Sequence, residues 1–344
     1  MTISSPGTSP LARRGALLAL AAMAVARPAV AAPAEDRFTE GAALVVAGPP
    51  QGRMDHWADL LIPTLARLMP GAAALPLLRS TVGGADGVTG ANLFEARVQP
   101  DGGTALLLPG AAALAWQVGD RRAQFDAAGW VPAWAGLASA VLVCRVPLER
   151  GRTIRMGGIQ PSGPSLPMLL ALDMLGLEVT PGPDAGADAV FHSGQGARAA
   201  AMAQAGSGMV PVLTLGTVTA TGTWGRDPAF PAVPTALEAT AALSRALSPT
   251  AVLLTALRAT SAATMLDAAL VLPRLSPANR VALWRRACTE ASGGAGLQTE
   301  AASLGVRPVL PPASAAIMAA IATDVPTLLA LRTWLDRRWG WRPA

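Results

Sequence analysis

The chain has 344 residues, of which 51% are hydrophobic and 14% charged, against roughly 25% charged in a typical soluble domain. This length is enough for about two domains, and the apolar content excludes an intrinsically disordered chain. Every basic residue is an arginine, and the net charge of +5 falls to +2 without residues 1–31, so we expect no basic stripe and no nucleic-acid partner. Beyond the N-terminus, no uninterrupted apolar run reaches the length of about 18 residues that a membrane span needs.

Residues 1–31 have the three-part pattern of an export signal. A polar region ending in Arg13 and Arg14 is followed by the apolar stretch Gly15 to Ala26 and by small residues up to Ala31. The arginine pair is compatible with the twin-arginine route and with an ordinary Sec signal. We therefore expect a periplasmic protein, cleaved near Ala31 or Ala32.

Short apolar runs alternate with loops and helical segments along the rest of the chain. Strands are predicted at Ala42 to Ala47, Leu75 to Leu78, Thr104 to Leu108, Ala138 to Val146, Ile154 to Ile159, Ala187 to Phe191 and Met209 to Leu215. Helices are predicted at His56 to Met69, Val88 to Val98, Met168 to Leu175, Ala197 to Ala205 and, in a helical C-terminal region, Ser314 to Trp339.

The repeated order of strand, loop and helix predicts α/β domains with parallel sheets and helices on both faces. Two such series are separated near residue 140. We expect domain 1 to comprise residues 32–140 and 263–344, and domain 2 residues 141–262.

Few residues suit catalysis or metal binding. The two histidines, His56 and His192, are far apart, and no Cys cluster accompanies them, so a zinc site is not expected. The absence of Lys rules out a lysine Schiff base and the lysine-dependent phosphate loop. Cys144 and Cys288 could form a disulfide in an oxidising compartment or stay as two buried thiols.

Several predicted strands end in loops rich in Gly, Ser and Thr that precede helices. In open α/β sheets, ligands bind beyond the carboxyl ends of the strands, where helix N-termini offer N–H groups to an anion. Two such domains that face each other can close on a small anion. The pattern therefore favours a binding protein over an enzyme.

Four stretches in order carry a family resemblance. They are LVVAGPPQGRMDHWADLL from Leu44, the Gly83-Gly84 region with the turn QPDGGT from Gln99, FHSGQGARAAAMAQAG from Phe191, and FPAVPTALEA from Phe230. Together they resemble the extracytoplasmic solute receptors of the tripartite tricarboxylate transporter family, the Bug-type receptors.

The resemblance implies a two-domain periplasmic binding protein, a type II-like Venus flytrap in which each domain is a mainly parallel sheet flanked by helices. It implies capture of a small organic acid in the interdomain cleft, membrane transporter subunits as partners, no cofactor and no enzymatic activity; we expect a monomer. The matching ligand-binding positions are Gly48, Pro49, Pro50, Gln51, Gly52, Arg53, Met54, Asp55, Gly83, Gly84, Ser162, Gly163, Ser165, Ser193, Gly194 and Gln195.

The first ligand loop departs from the family pattern. Gly48 stands in place of the usual aromatic residue, and Arg53 in place of a glycine. A guanidinium here could pair with a ligand carboxylate, or it could be solvated or paired with Asp55 or Asp59. Asp55 is interpreted as the cap of the first helix, with contact to the ligand as the alternative.

Two other functions stay open at this point. The altered loops are compatible with a degenerate receptor that senses or docks to a partner. A secreted α/β enzyme would have to use His56 with Asp55, or a serine. Of the nine tryptophans, four could line a cleft or pack in the core: Trp57, Trp116, Trp130 and Trp134.

Overall fold

The computed structural model describes residues 41–69, 77–244 and 251–343. The predicted export signal and the start of the strand predicted at Leu75 lie outside this part of the chain. Within it, no single helix combines the length and apolarity needed to cross a membrane; one consecutive pair of helices, Ala313–Ile321 and Val325–Trp339, does so only jointly and is bent by 64°.

The strands in chain order are β1 (Ala43–Ala47), β2 (Leu78–Val82), β3 (Thr104–Leu108), β4 (Val131–Ala138), β5 (Ala140–Cys144), β6 (Thr153–Gly157), β7 (Glu178–Pro181), β8 (Ala189–Ser193), β9 (Val210–Thr214), β10 (Thr217–Val218), β11 (Trp224–Gly225), β12 (Leu266–Leu272) and β13 (Val306–Val309). The helices are α1 (Arg53–Leu68), α2 (Val88–Arg97), α3 (Gly110–Val118), α4 (Leu166–Met174), α5 (Ala197–Ala205), α6 (Ala236–Ser244), α7 (Ala251–Met265), α8 (Ala278–Gly293), α9 (Ala295–Leu304), α10 (Ala313–Ile321) and α11 (Val325–Trp339).

Two large sheets organise these elements. A six-stranded sheet has the order β13-β4-β12-β3-β1-β2, and a five-stranded sheet has the order β7-β6-β8-β5-β9. We call the first sheet with the helices packed on it the first lobe, and the second sheet with its helices the second lobe. The two-lobed α/β architecture agrees with the predicted fold class.

The sheets are mixed rather than mainly parallel, which corrects one part of that prediction. In the first lobe β2, β1 and β3 are parallel, whereas β12, β4 and β13 pair antiparallel. In the second lobe β7, β6 and β8 are parallel, whereas β5 pairs antiparallel with both neighbours. The direction of β5 follows from the crossing between lobes. Because β4 ends at Ala138 and β5 begins at Ala140, β5 starts at the edge of the second sheet where its neighbours β8 and β9 end.

The central strands of the first lobe are buried on both faces. Val45 and Ala47 of β1 pack in one apolar cluster, and Leu44 and Val46 pack in a second cluster on the opposite face of the sheet. Alternate side chains of a strand point to opposite faces, so the continuous apolar run is what a sheet with helices on both sides requires. These strands hold the loops at their carboxyl ends in place.

The helix α7 connects the lobes. It packs on α4 of the second lobe and on α3, α10 and α11 of the first. Its C-terminal half, including Leu257, Ala263 and Met265, is buried, and it leads directly into β12. No strand was predicted over β12, so the sequence did not indicate that the chain returns to the first sheet at this point.

The predicted helix Ser314 to Trp339 is wrong in one respect, because it is two helices. The first helix ends at Ile321. The Asp324 carboxylate then caps α11 by accepting a hydrogen bond from the Thr327 backbone N–H at 3.0 Å. Pro326, in the first turn, lacks the N–H that a continuous helix would need.

The segment FPAVPTALEA forms a capping box at the start of α6. The Thr235 hydroxyl accepts from the Glu238 backbone N–H at 3.0 Å, and the Glu238 carboxylate accepts from the Thr235 N–H at 2.8 Å. The hydrogen bond from the Thr235 backbone, more than the nearby Arg226, lowers the pKa of Glu238. In the described structure this motif therefore stabilises the start of α6.

The two cysteines are free and buried. Cys144 lies on β5 in the second lobe and Cys288 on α8 in the first, and burial raises the pKa of each thiol to about 12. Of the two alternatives left open by the sequence, the structure therefore shows separate buried thiols.

Candidate functional site

The first predicted ligand loop connects β1 to α1. Gly48 is buried and its N–H donates to the Val82 carbonyl at 2.9 Å, whereas Pro49, Pro50 and Gln51 are exposed. Gln51 has a left-handed backbone, with φ at 60°. The loop is thus tied to β2 at its start and presents its middle residues to solvent.

The helix α1 begins three residues earlier than predicted. Its N-cap is Gly52, so Arg53, Met54 and Asp55 lie in its first turn. Asp55 is therefore not the cap, which corrects the interpretation from the sequence. Met54 is buried and belongs to the core of the first lobe.

The Asp55 carboxylate fixes the shape of this loop. It accepts a hydrogen bond from the Gln51 backbone N–H at 2.7 Å and another from the Thr81 hydroxyl at 3.1 Å, and it forms an ion pair with Arg79. Its partners come from the loop and from β2, so it joins the first loop to the neighbouring strand of the first lobe.

Arg53 pairs with a residue that the sequence analysis missed. Its Nη1 lies 3.4 Å from Oδ1 of Asp267, on β12, whereas Asp55 and Asp59 both pair with Arg79. The Asp267 side chain is fully buried, and its Oδ2 accepts from Trp57 Nε1 at 2.8 Å and from Gln195 Nε2 at 3.1 Å.

Asp267 therefore joins the two lobes. Arg53, Trp57 and Asp267 belong to the first lobe, and Gln195 lies in the loop between β8 and α5 of the second. A second contact is near, where the Thr264 hydroxyl donates to the Pro164 carbonyl at 3.3 Å. A signal for Asp267 was present in the sequence: it is the one charged residue in the stretch 259–272.

Five of the other predicted site residues line two cavities that share Pro164 in their walls: Ser162, Gly163, Ser165, Ser193 and Gln195. The Asp86 cavity, of about 420 Å³, is lined by Asp86, Ser162 and Gly163 together with residues of α3 and the C-terminal Trp341 and Arg342. The Ser193 cavity, of about 340 Å³, is lined by residues of the second lobe: Gly158, Gln160, Pro164, Ser165, Phe191, His192, Ser193, Gln195, Gly196, Ala197 and Ala200.

The hydroxyl groups at these cavities differ in availability. The Ser165 hydroxyl donates to the Gln160 carbonyl at 2.8 Å and accepts from the Gln160 N–H at 2.7 Å, so it shapes its own loop. Within the described part of the chain, the Ser162 and Ser193 hydroxyls and the buried Nε2 of His192 have no protein partner.

The glycines of the predicted site have different roles. Gly83 and Gly84 follow β2 at an exposed turn, and Gly84 has φ at 109°, which favours glycine. Gly194 has φ at 79° and accepts from the Ala197 N–H, which shapes the entry to α5. None of Gly83, Gly84 and Gly194 is among the residues that line the two cavities.

The charged groups at the Asp86 cavity are paired. Arg122 lies 2.9 Å from Asp86 and 2.7 Å from Asp120, and its hydrogen bond lowers the pKa of Asp120. Arg342 lies 2.9 Å from Asp336.

The structure does not form the pair of His56 and Asp55 that was considered for an enzyme. His56 Nε2 lies 3.0 Å from Glu300 on α9, whereas Asp55 pairs with Arg79, so the predicted dyad of His56 and Asp55 is not formed. Among the described residues, no group of three or more His, Cys, Asp or Glu could hold a metal ion. Trp57 and Trp134 pack with ring centroids 5.5 Å apart in the core, which supports the packing role over a cleft lining.

No family model matches the sequence, and no curated protein matches it. Among solved structures, a TctC solute binding protein from Polaromonas is 15% identical, with 86% of this chain and 98% of that chain covered and a TM-score of 0.60. MatC from Rhodopseudomonas palustris, solved with bound malate, is 17% identical over 86% of this chain and 98% of its own, with a TM-score of 0.45. The periplasmic binding protein BugD is 13% identical over 87% and 97%, with a TM-score of 0.46. The likeness to the Polaromonas protein shows that this chain has the fold of a TctC solute-binding protein, as the four sequence motifs predicted.

Proposed function

We propose that this protein is a solute-binding receptor that captures a small organic carboxylate between its two lobes. The observation that carries the proposal is the convergence of loops: carboxyl-end loops of both sheets approach each other near Asp267 and Pro164, and Pro164 lies in the walls of two cavities. The fold shared with a TctC solute-binding protein supports the same function.

The donors for a carboxylate would come mainly from neutral groups. The Ser162 and Ser193 hydroxyls line the cavities without a protein partner in the described chain, and the Ser193 cavity also contains the first residues of α5. A carboxylate leaving water needs such hydrogen bonds, and N–H groups at a helix N-terminus add a favourable dipole. The cavity volumes suit a small solute.

Lobe closure would place the solute between these donors. We propose that the hinge lies at Ser139, between β4 and β5, and at the junction of α7 and β12, and that the domain boundaries lie there, near residues 140 and 263. Residues 1–31 would direct the protein to the periplasm, where it would act as a monomer without turnover and deliver solute to the subunits of a tripartite tricarboxylate-type transporter.

Thermal unfolding in the presence of mono-, di- and tricarboxylates tests this function. A solute at about 100 times its Kd adds roughly 2.7 kcal/mol to the free energy of unfolding, a shift of several degrees for a chain of this size. Ser193→Ala should reduce the shift, whereas Ser207→Ala, a change at an exposed hydroxyl that bonds only the Gln204 carbonyl, should leave it unchanged. The absence of any shift across the panel would contradict solute capture.

A docking or sensing protein is the second candidate, and Asp267 is the observation that favours it. This buried carboxylate belongs to the protein and already joins Arg53 and Trp57 to Gln195 of the other lobe. A protein of this kind would hold its lobes together without a solute. It predicts no thermal shift with the panel and a lower melting temperature for Gln195→Ala.

A further inference from the structure

We propose that Asp267 determines ligand specificity by neutralising Arg53, so that the cleft selects solutes with one carboxylate over di- and tricarboxylates. The inference rests on the proposed function and names the class of solute that the same site takes.

The burial of Asp267 is the first step. Its side chain is fully buried, and Oδ2 has two neutral donors, Trp57 Nε1 at 2.8 Å and Gln195 Nε2 at 3.1 Å. Oδ1 accepts no hydrogen bond within the described chain, and the nearest cation is Arg53, at 3.4 Å. A buried carboxylate needs a counter-charge, so the charge of Arg53 is committed to Asp267.

The arginine beside the first loop and the arginines that line the two cavities are paired as well. Arg79, beside the first loop, pairs with Asp55 and Asp59. Arg122 pairs with Asp86 and Asp120, and Arg342 pairs with Asp336. Among the described residues that line the two cavities or form the predicted ligand loops, every arginine thus has an acidic partner.

The Ser193 cavity adds hydrogen-bond donors without a formal charge. Its polar lining consists of serine, glutamine and histidine side chains and backbone groups, and it includes no Arg, Asp or Glu. Neutral donors of this kind can satisfy one carboxylate. A second carboxylate would lose its water, and no cationic side chain among the described residues that line this cavity would compensate for that loss.

Pairs of acids with the same chain length test the proposal on the wild-type protein. Isothermal titration should give a Kd for pentanoate at least about tenfold below that for glutarate, and likewise for butyrate against succinate, a factor that corresponds to about 1.4 kcal/mol. Glutarate or succinate binding as tightly as its partner would overturn the proposal and leave the receptor function standing. Failure of all four acids, and of the wider panel, would instead contradict the receptor function.

The variant Asp267→Asn tests the role of the residue. The amide keeps an oxygen acceptor for Trp57 and Gln195 but removes the charge, which frees Arg53 for a solute. We expect glutarate to bind about tenfold more tightly than in wild type, and the double variant Arg53→Gln/Asp267→Asn to lose this gain. Glu149→Gln is the control for net charge, because Glu149 is an exposed acid paired with Arg152 in the loop between β5 and β6.

An unchanged ratio of pentanoate to glutarate affinity in Asp267→Asn would overturn the role of Asp267, as would the same gain in Glu149→Gln. Cooperative thermal unfolding of each variant verifies that it folds. The comparison of acids on wild type needs no substitution, so it decides the specificity even if a variant does not fold.

Discussion

Two acidic side chains of α1 pair with the same arginine of β2, yet they differ in burial. Asp55 and Asp59 both pair with Arg79. The Asp55 side chain is 14% exposed and also holds the Gln51 backbone and the Thr81 hydroxyl, whereas the Asp59 side chain is 64% exposed. A surface ion pair contributes little, because solvent screens it, whereas a partly buried carboxylate with several donors contributes more.

We therefore expect Asp55→Ala to lower the free energy of unfolding by about 1.5–3 kcal/mol, the range for hydrogen bonds to charged groups, and Asp59→Ala by less than about 1 kcal/mol. Urea unfolding followed by circular dichroism measures both. Equal effects of the two substitutions would show that Asp55 does not hold the loop, since the shared arginine is the same in each.

At the scale of residues, the sequence indicated candidate loops but not the contacts of their side chains. The Gly, Ser and Arg positions were proposed from the resemblance to the solute receptors, in loops that follow apolar strands. The partners were not, because Asp267 lies 214 residues beyond Arg53 and a strand with one acid among apolar residues gives no sign of which loop it meets. The pairing of Asp55 with Arg79 depends in the same way on two parallel strands lying side by side.

The junction of β3 and α3 lies close to the end of α7 and the start of β12. Gly110 is the first residue of α3. A Cβ added to it would lie 2.1 Å from the Ala263 carbonyl oxygen and 2.5 Å from the Leu266 carbonyl oxygen. Those oxygens are backbone atoms at the end of α7 and the start of β12. The junction thus fixes how α7 enters the first sheet.

Gly110→Ala should accordingly destabilise the protein by about 3 kcal/mol or more, since overpacking costs 1–3 kcal/mol where side chains can yield and backbone atoms yield less. Gly296→Ala is the matched control: Gly296 lies in α9 with no atom within 4 Å of an added Cβ, so its replacement should be neutral or stabilise by up to about 1 kcal/mol. Denaturant titration of both proteins checks this, and a small loss at Gly110 would contradict the close approach.

At the scale of elements, the strands with strong apolar runs were predicted within a few residues, whereas β4, β7, β12, β13 and the short strands β10 and β11 were missed. Trp, Pro and Gly interrupt the apolar pattern of β4, and β12 follows directly on α7 without a loop to mark the change. The break between α10 and α11 was missed because Asp324 and Pro326 interrupt a region whose apolar periodicity continues.

Across the whole molecule, the arrangement of the lobes follows from two crossings of the chain. The chain passes to the second lobe between β4 and β5 and returns through α7 into β12, and Asp267 lies next to that return point. The same residue that joins the lobes therefore stands where a solute would be enclosed. A two-lobed fold could be predicted from the two series of strands, but the contact between lobes could not, because it depends on tertiary geometry.

Hydrogen exchange with and without a bound acid tests whether the protein captures a carboxylate between its lobes. With the tightest-binding acid of the panel at saturation, we expect slower exchange in segments of both lobes: residues 158–166 and 190–197 of the second lobe and residues 83–88 or 108–118 of the first. Slower exchange confined to one lobe, or no change at either lobe, would contradict capture of a carboxylate between them.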